Sequence, residues 1–306
     1  MSLDHPAFDP YRDLIATLDL ARGLPDLATL NALATTLGTR QARGLPLAFV
    51  APAGRMPARD YERQILQTGQ VPTRADTWHD VLNALVWLRF PRFKAALNAA
   101  HGMAIAGETG PIRGRRRDAL TVLDESGVWV ISRDPALPAL LAERAWQSLF
   151  WEHRHAVETA MRFVVVGHAL LEKALAPYPA MTGKCLTLIA ESLDPDAADE
   201  LSVVALAGID SPRQLAPLPI QGIPGWDAVN ANTVLQAKTI CATTGTCSVR
   251  RSAGRMRSTF PCRSNNFINC RTILTFTKRQ RRHWSTRRRG IRLSSAGTCN
   301  KGKPCS

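Results

Sequence analysis

The chain has 306 residues, 45% of them hydrophobic, and a formal net charge of +14. This hydrophobic content is typical of a chain that buries a core, and no apolar run approaches the roughly 20 residues that cross a bilayer. Composition therefore argues against a membrane protein and against a chain that is disordered throughout. The positive charge, taken as a whole, is typical of a nucleic-acid-binding protein.

That charge is confined to the C-terminal quarter of the sequence. Residues 233–306 contain 17 of the 39 lysines and arginines and none of the 25 acidic residues, which leaves a net charge of −3 for residues 1–232. Six of the seven cysteines also follow residue 232. We call residues 1–232 the body and residues 233–306 the tail. A single cysteine in the body is typical of the reducing cytoplasm, where we expect the protein. The first residues lack a basic start and an apolar core, so we expect no signal peptide.

Three interpretations of the tail stay open. A genuine basic arm would neutralise nucleic-acid phosphates, most densely over residues 278–292. A zinc module would use the six tail cysteines, although they include no C-x-x-C pair. An out-of-frame translation of the end of a GC-rich gene would also be rich in Arg, Ser, Thr and Cys. Each interpretation predicts a largely disordered tail, and only the first predicts a nucleic-acid partner.

The body begins with helical patterns. Asp26 can cap a helix that runs to Leu37. Residues 45–50 form a short apolar segment typical of a strand, and residues 61–66 predict a helix that ends at Gly69.

Two helices flank a proline in the middle of the body. The first is capped by Asp76 or Thr77 and ends near Arg89. The second begins at Pro91, where the missing backbone donor costs nothing, and ends at about Gly102.

The second half of the body predicts a hairpin and three helices. Residues 119–123 and 128–131 are rich in β-forming side chains and flank a short turn with glycine, which predicts a β-hairpin. Helices are predicted over 137–155, 157–175 and 197–207. The fold class is therefore mainly α with a small β-hairpin, an α+β protein.

Polar residues share faces on the two helices around the proline. His79 and Asn83 are four residues apart, and Lys94, Asn98 and His101 follow at i, i+4 and i+7. Asparagine is unfavourable inside helices because its side chain competes for backbone hydrogen bonds. These faces therefore predict a polar pocket between the helices, although a satisfied buried hydrogen-bond network would leave the same pattern.

Two enzymatic hypotheses use this pocket, both of the hydrolase type. A metal site would take His79, His101 and His168 with a carboxylate, the ligand types that zinc or iron favours. An acid–base site would use a histidine oriented by Asp80 or Glu172, and Lys94 or Arg116 would hold an anionic substrate. The catalytic candidates are His79, Asp80, Asn83, Lys94, Asn98, His101, His168 and Glu172. The substrate-binding candidates are Arg74, Arg116, Arg117, Asp118 and Asp124.

A binding module is the third hypothesis. The run Arg113–Arg117 is the densest basic stretch of the body and would bind phosphate or carboxylate by bidentate contacts. A solvated loop with nearby acidic counter-charges explains the same run. No H-E-x-x-H, G-x-S-x-G, Walker-type loop or G-x-G-x-x-G occurs in the body, so no cofactor is predicted and the activity stays open.

The motifs of the body resemble those of a proteobacterial family catalogued as domain of unknown function 3025. The resemblance covers roughly residues 40–232 and rests on Thr73-Arg74, Trp78-His79-Asp80, Asn83-Ala84-Leu85-Val86-Trp87, Phe90-Pro91, Lys94, Asn98, His101, Arg116-Arg117-Asp118-Ala119-Leu120-Thr121, Asp124-Glu125, Gly167-His168-Ala169 and Glu172. It implies family membership and brings no activity with it.

The resemblance also bears on the domain organisation. The pattern of the family stops at Asn232, and the departure from Thr233 onward favours an out-of-frame tail. We therefore predict an N-terminal helical segment, residues 1–39, that packs as one unit with a family-like domain, residues 40–232. The tail, residues 233–306, follows them as an unstructured segment.

Overall fold

The computed structural model describes residues 2–108 and 113–231. The predicted tail lies outside the described residues. The helices are α1 (Arg12–Thr17), α2 (Leu27–Thr36), α3 (Ala58–Thr68), α4 (Trp78–Arg89), α5 (Pro91–Gly107), α6 (Arg115–Ser126), α7 (Ala136–Ala142), α8 (Arg154–Ala160), α9 (His168–Ala174) and α10 (Pro195–Leu206). The strands are β1 (Ala48–Val50), β2 (Gln70–Pro72), β3 (Gly127–Ser132), β4 (Met161–Val165), β5 (Thr182–Ile189) and β6 (Ala216–Pro219).

A four-stranded sheet lies at the centre, in the order β4-β3-β5-β6. Strand β3 pairs with β4 antiparallel and with β5 parallel, and β5 pairs with β6 antiparallel. All six residues of β3 are buried, as expected for a strand with neighbours on both edges and helices against it. Strands β1 and β2 form a separate parallel pair.

Aromatic side chains join the helices to this sheet. Trp129 of β3 contacts Phe90 and Phe93, with ring centroids 4.6 and 5.3 Å away. Helix α5 packs on α3, α6 and α10, while α9 packs on α4 and α6. The prediction of a mainly helical α+β fold is confirmed. No helix among the described residues is long and apolar enough to span a membrane.

Helices α2 and α4 begin at their predicted caps, and α3 ends at Gly69 as predicted, although it begins at Ala58, before the predicted residues 61–66. Asp26 and Thr77 accept hydrogen bonds from backbone amides in the first turns of α2 and α4. Gly69 ends α3 in the left-handed conformation, with φ of 73°. A Cβ on this glycine would lie 2.3 Å from the carbonyl oxygen of Pro46, so glycine is required there by both conformation and space.

The predicted hairpin is wrong. Residues 119–123 belong to α6, and β3 pairs with β4 and β5 instead. Buried Leu120 and Leu123 recur at helical spacing, and the preceding arginines continue the same helix. Tertiary packing therefore overrides the local β-propensity of this segment.

Three predicted helical boundaries are also wrong. Residues 161–165 form β4 rather than the middle of a helix, because a short apolar run pairs equally well with a neighbouring strand. The predicted helix 137–155 is broken into α7, a π-helical turn and the start of α8. Helix α5 passes through Gly102, where a Cβ would lie 2.3 Å from Cδ2 of Leu66, so this glycine serves close packing on α3 rather than termination.

Candidate functional site

Three helix ends meet at one edge of the domain. The first turn of α4 supplies His79, the last turn of α6 supplies Asp124 and Glu125, and α9 supplies His168 and Glu172. The packing of α9 on α4 and α6 thus brings together side chains that are 43 to 93 residues apart in the sequence.

Two histidines face each other at this edge. The Nε2 atoms of His79 and His168 are 3.1 Å apart, and the two rings are nearly perpendicular. Oε2 of Glu125 lies 3.7 Å from Nε2 of His168. One ligand atom from each of these three residues falls within 4.8 Å of the other two. We call His79, His168 and Glu125 the histidine cluster.

The histidine cluster is open to solvent on one side only. His168 is buried, whereas His79 and Glu125 are partly exposed. Burial lowers the pKa of His168 to about 4, despite the attraction of the Asp124 carboxylate, so its ring is neutral at physiological pH. A neutral imidazole keeps a lone pair for a metal ion or a proton.

Carboxylates stand behind both histidines. Oε2 of Glu172 is 2.9 Å from Nδ1 of His79, which orients that ring. Oδ1 of Asp124 is 3.9 Å from Nδ1 of His168. The predicted orienting role thus fits Glu172, while Asp80 forms a bidentate ion pair with Arg74 instead.

Asp124 also belongs to a buried polar network. Its carboxylate pairs with the ammonium group of Lys94, which donates a second hydrogen bond, of 2.8 Å, to Oδ1 of Asn83. Asn83 in turn donates to the hydroxyl of Tyr61. Burial opposes ionisation of Asp124, but Lys94 outweighs it and lowers the pKa of Asp124 to about 2.

A small chamber lies on the inner side of this network, lined by Tyr61, Glu62, Ile65, Trp87, Lys94, Leu97, Asn98, His101 and Asp124. Asn98 donates to the backbone oxygen and to Oε2 of Glu62, at 2.9 and 2.7 Å. Burial, reinforced by the charge of Asp124, raises the pKa of Glu62 to about 7. Burial lowers the pKa of His101 to about 4.

Two glycines bring α6 and α9 together. The amide of Gly167 donates to the carbonyl of Gly127, at 2.9 Å. A Cβ on Gly167 would lie 2.4 to 2.6 Å from backbone atoms of Ser126 and Gly127, which cannot rotate away. The absence of a side chain at this position therefore sets the approach of Glu125 to His168.

Replacing Gly167 by alanine is expected to destabilise the domain by about 3 kcal/mol, because the backbones on either side must separate. Gly23→Ala is the matched control, since a Cβ there meets nothing within 4 Å. Urea unfolding of both variants measures the difference. Equal stability of the two variants would show that the contact at residue 167 relaxes without cost.

The structure brings together most of the predicted catalytic residues, in two groups. His79, His168 and Glu172 form the outer group, while Asn83, Lys94, Asn98 and His101 contact or line the inner chamber. His101 therefore lies apart from the other two predicted metal-ligand histidines.

Sequence reasoning missed Glu62, Tyr61 and the ligand position of Glu125. Asp124 is among the predicted pocket residues, whereas the predicted hairpin turn assigns no direction to Glu125.

The predicted substrate-binding residues are engaged with other protein groups. The pairs are Arg74 with Asp80, Arg113 with Asp118, Arg116 with Asp210, Arg117 with Glu108, and Lys94 with Asp124. Arg117 is buried. An anion-binding surface along this run would have to displace these carboxylates.

Comparison with known proteins gives a family and no activity. The profile of one family matches residues 47–241, nearly two thirds of the chain. The match begins and ends somewhat later than the predicted residues 40–232. No curated protein and no solved structure matches the chain. The chain belongs to the family described as "Protein of unknown function (DUF3025)".

Proposed function

We propose that the protein is a metal-dependent enzyme of the hydrolase type, with a zinc-like ion bound by the histidine cluster. The observation that carries this proposal is the 3.1 Å separation of the Nε2 atoms of His79 and His168. Two nitrogen ligands of a tetrahedral zinc ion, each about 2.0–2.1 Å from the metal, lie about 3.3 Å apart. A small rotation of the Glu125 side chain, whose Oε2 is 3.7 Å from His168, completes a set of three ligands.

The groups behind the ligands support a metal site. Metal-binding histidines usually turn their second ring nitrogen toward a carboxylate, which fixes the tautomer and raises ligand basicity. Glu172 stands in this position for His79. The Asp124 carboxylate is the nearest such group to Nδ1 of His168, at 3.9 Å, and would have to move closer to accept a hydrogen bond from it.

The position of the acids in α6 supports a cation as well. Asp124 and Glu125 lie in the last turn of α6, which contains no basic residue. Carboxylates at a helix C-terminus oppose the helix dipole, at a cost of about 0.3–1 kcal/mol each. Lys94 compensates Asp124. A bound cation would compensate Glu125.

The chemistry follows from the number of ligands. Three protein ligands leave a coordination position for water, and zinc lowers the pKa of such a water to about 7, which generates a nucleophile at neutral pH. Glu125 and His79 are partly exposed, so a substrate can approach from the solvent side.

A metal-free acid–base site is the second candidate, favoured by the Glu172–His79 contact of 2.9 Å. In that case the two Nε2 atoms share one proton, and Glu172 orients His79 as the general base. Metal binding distinguishes the two candidates.

Zinc titration of the full chain tests the metal site. The tail thiols would first be blocked with iodoacetamide, and binding followed by calorimetry. We expect the wild type to bind one zinc ion more than His79→Gln, His168→Gln and Glu125→Gln do. Glu172→Gln should weaken this site about 10- to 100-fold.

His153→Gln is the matched control, because His153 is exposed and is not among the described residues that could hold a metal ion together. The metal proposal fails if the three ligand variants bind zinc as the wild type and His153→Gln do. A hydrolytic activity that survives chelation would favour the acid–base candidate.

The origin and location of the chain are part of the same proposal. The single body cysteine supports a cytoplasmic protein, and the family motifs support a proteobacterial source. We also propose that the tail is an out-of-frame translation that begins after Asn232, although the family match itself continues to residue 241. Translation of the coding DNA in the other two frames tests this, since the correct frame should continue with acidic and aromatic residues.

A further inference from the structure

The inner chamber contains buried polar atoms that the protein itself leaves without partners. Within the described part of the chain, no group hydrogen-bonds Nδ1 or Nε2 of His101, or Oδ1 of Asn98. His101 and Asn98 are almost fully buried, with 3% and 2% of their surface exposed, respectively. The large majority of buried side-chain polar atoms in proteins have a hydrogen-bond partner, either a protein group or an ordered water molecule.

The orientation of Asn98 is fixed by its other contacts. Its Nδ2 group donates to both the backbone oxygen and Oε2 of Glu62, which uses its two protons. Its Oδ1 atom is therefore an acceptor that needs a donor from elsewhere. The neutral ring of His101 offers one donor and one acceptor.

Size and charge define what the chamber can bind. The space open to the centre of a water-sized sphere is about 10 Å³, near the minimum for a single water molecule. A cation would meet the ammonium group of Lys94, and an anion would meet the carboxylate of Asp124. An apolar molecule would leave His101 and Asn98 unbonded. A neutral molecule with one heavy atom, which both donates and accepts, satisfies these conditions.

We propose that the chamber binds one long-lived water molecule. This water donates to Oδ1 of Asn98 and exchanges a second hydrogen bond with a ring nitrogen of His101. The water fixes the tautomer of His101, and it links His101 to Asn98 and, through Asn98, to Glu62. The site is separate from the histidine cluster, because none of the three cluster residues lines the chamber. The proposal therefore stands or falls independently of metal binding.

Water-selective NOE spectroscopy tests this site in the full chain with ¹³C-labelled histidine and no added metal. We expect a negative cross-peak between water and the ring carbon-bound protons of His101, the sign given by a water that stays for nanoseconds or longer. His101→Leu assigns the peak by removing it. Asn98→Leu should also abolish the peak, since it fills the chamber and removes the acceptor.

Two control variants test for signals relayed by exchangeable protons of Tyr61 and Glu62, while Asn98→Leu, which keeps the ring N–H of His101, tests for relay through that ring. Tyr61→Phe removes the hydroxyl that lines the chamber, and Glu62→Gln removes the carboxyl proton. Under the proposal the cross-peak keeps its intensity in both variants within about twofold. Absence of the peak in the wild type overturns the proposal, and so does its loss in either control, because an exchanging protein proton would then be its source.

Discussion

Replacing Lys94 by methionine is expected to lower the free energy of unfolding by about 3–5 kcal/mol. The ammonium group of Lys94 is buried and pairs with the carboxylate of Asp124, whose side chain is 16% exposed. Methionine preserves most of the side-chain volume, but it removes the ammonium group, which also lies over the Trp87 ring, and leaves that carboxylate without its counter-ion. Chemical unfolding by urea at pH 7 measures the loss.

Two further variants test the cause of this loss. Arg63→Met breaks an exposed ion pair with Asp60, whose atoms are 3.7 Å apart, and should cost less than about 1 kcal/mol. The double variant Lys94→Met/Asp124→Asn should recover part of the stability, because the unpaired charge is gone. If Lys94→Met loses no more than Arg63→Met does, the Asp124 carboxylate is not isolated from solvent.

Replacing Glu62 by glutamine is expected to remove a pH-dependent component of stability. Burial raises the pKa of Glu62 from 4.5 to about 7. At a pH between these two values, the folded protein therefore keeps a proton on Glu62 that the unfolded chain has lost. Stability from this group is fully present below pH 4.5 and is lost as the pH rises to about 7. The change corresponds to about 3 kcal/mol, at 1.36 kcal/mol for each pH unit between 4.5 and about 7.

Unfolding free energies of the wild type and Glu62→Gln at pH 4.5 and pH 8 measure this component. The wild type should lose about 3 kcal/mol more than the variant does between the two pH values. Protonation of His101 and His168 at acid pH affects both proteins and cancels in the comparison. Glu143→Gln, at an exposed position, corrects for the general loss of one carboxylate. Parallel curves for wild type and Glu62→Gln would contradict the raised pKa.

Local signals predicted the first half of the fold. The caps at Asp26 and Thr77 and the chain reversal at Gly69 act through backbone hydrogen bonds within one or two turns, so the sequence contains them in full. The same is true of Pro91 at the start of α5. The polar faces of α4 and α5 followed directly from these helices.

The second half depends on partners that are distant in sequence. Residues 161–165 become a strand because β3 lies beside them, and residues 119–123 become a helix because Leu120 and Leu123 are covered by other elements. Neither partner is visible in the local pattern. Residues 119–123 were predicted as a strand, but they belong to α6, and this helix sets the direction of the Glu125 side chain. The wrong prediction therefore left Glu125 out of the candidate ligands.

The same dependence explains why the predicted set of three histidines was only partly brought together. His79 and His101 lie on consecutive helices, which made them an apparent pair. The packing of α9 on α4 instead places His168 beside His79, and α5 turns His101 into the chamber. Helical periodicity assigns residues to faces but does not decide which faces meet.

The final turn of α6 gives two neighbouring acids two different environments. Successive residues of a helix point about 100° apart, so Asp124 faces the chamber and Lys94 while Glu125 reaches the solvent edge beside His168. Deleting or inserting one residue within α6 would rotate both side chains away together. The positions of the Asp124 and Glu125 carboxylates thus depend on the same helical register. A change in the length of α6 that moves one of them away from its partner also moves the other.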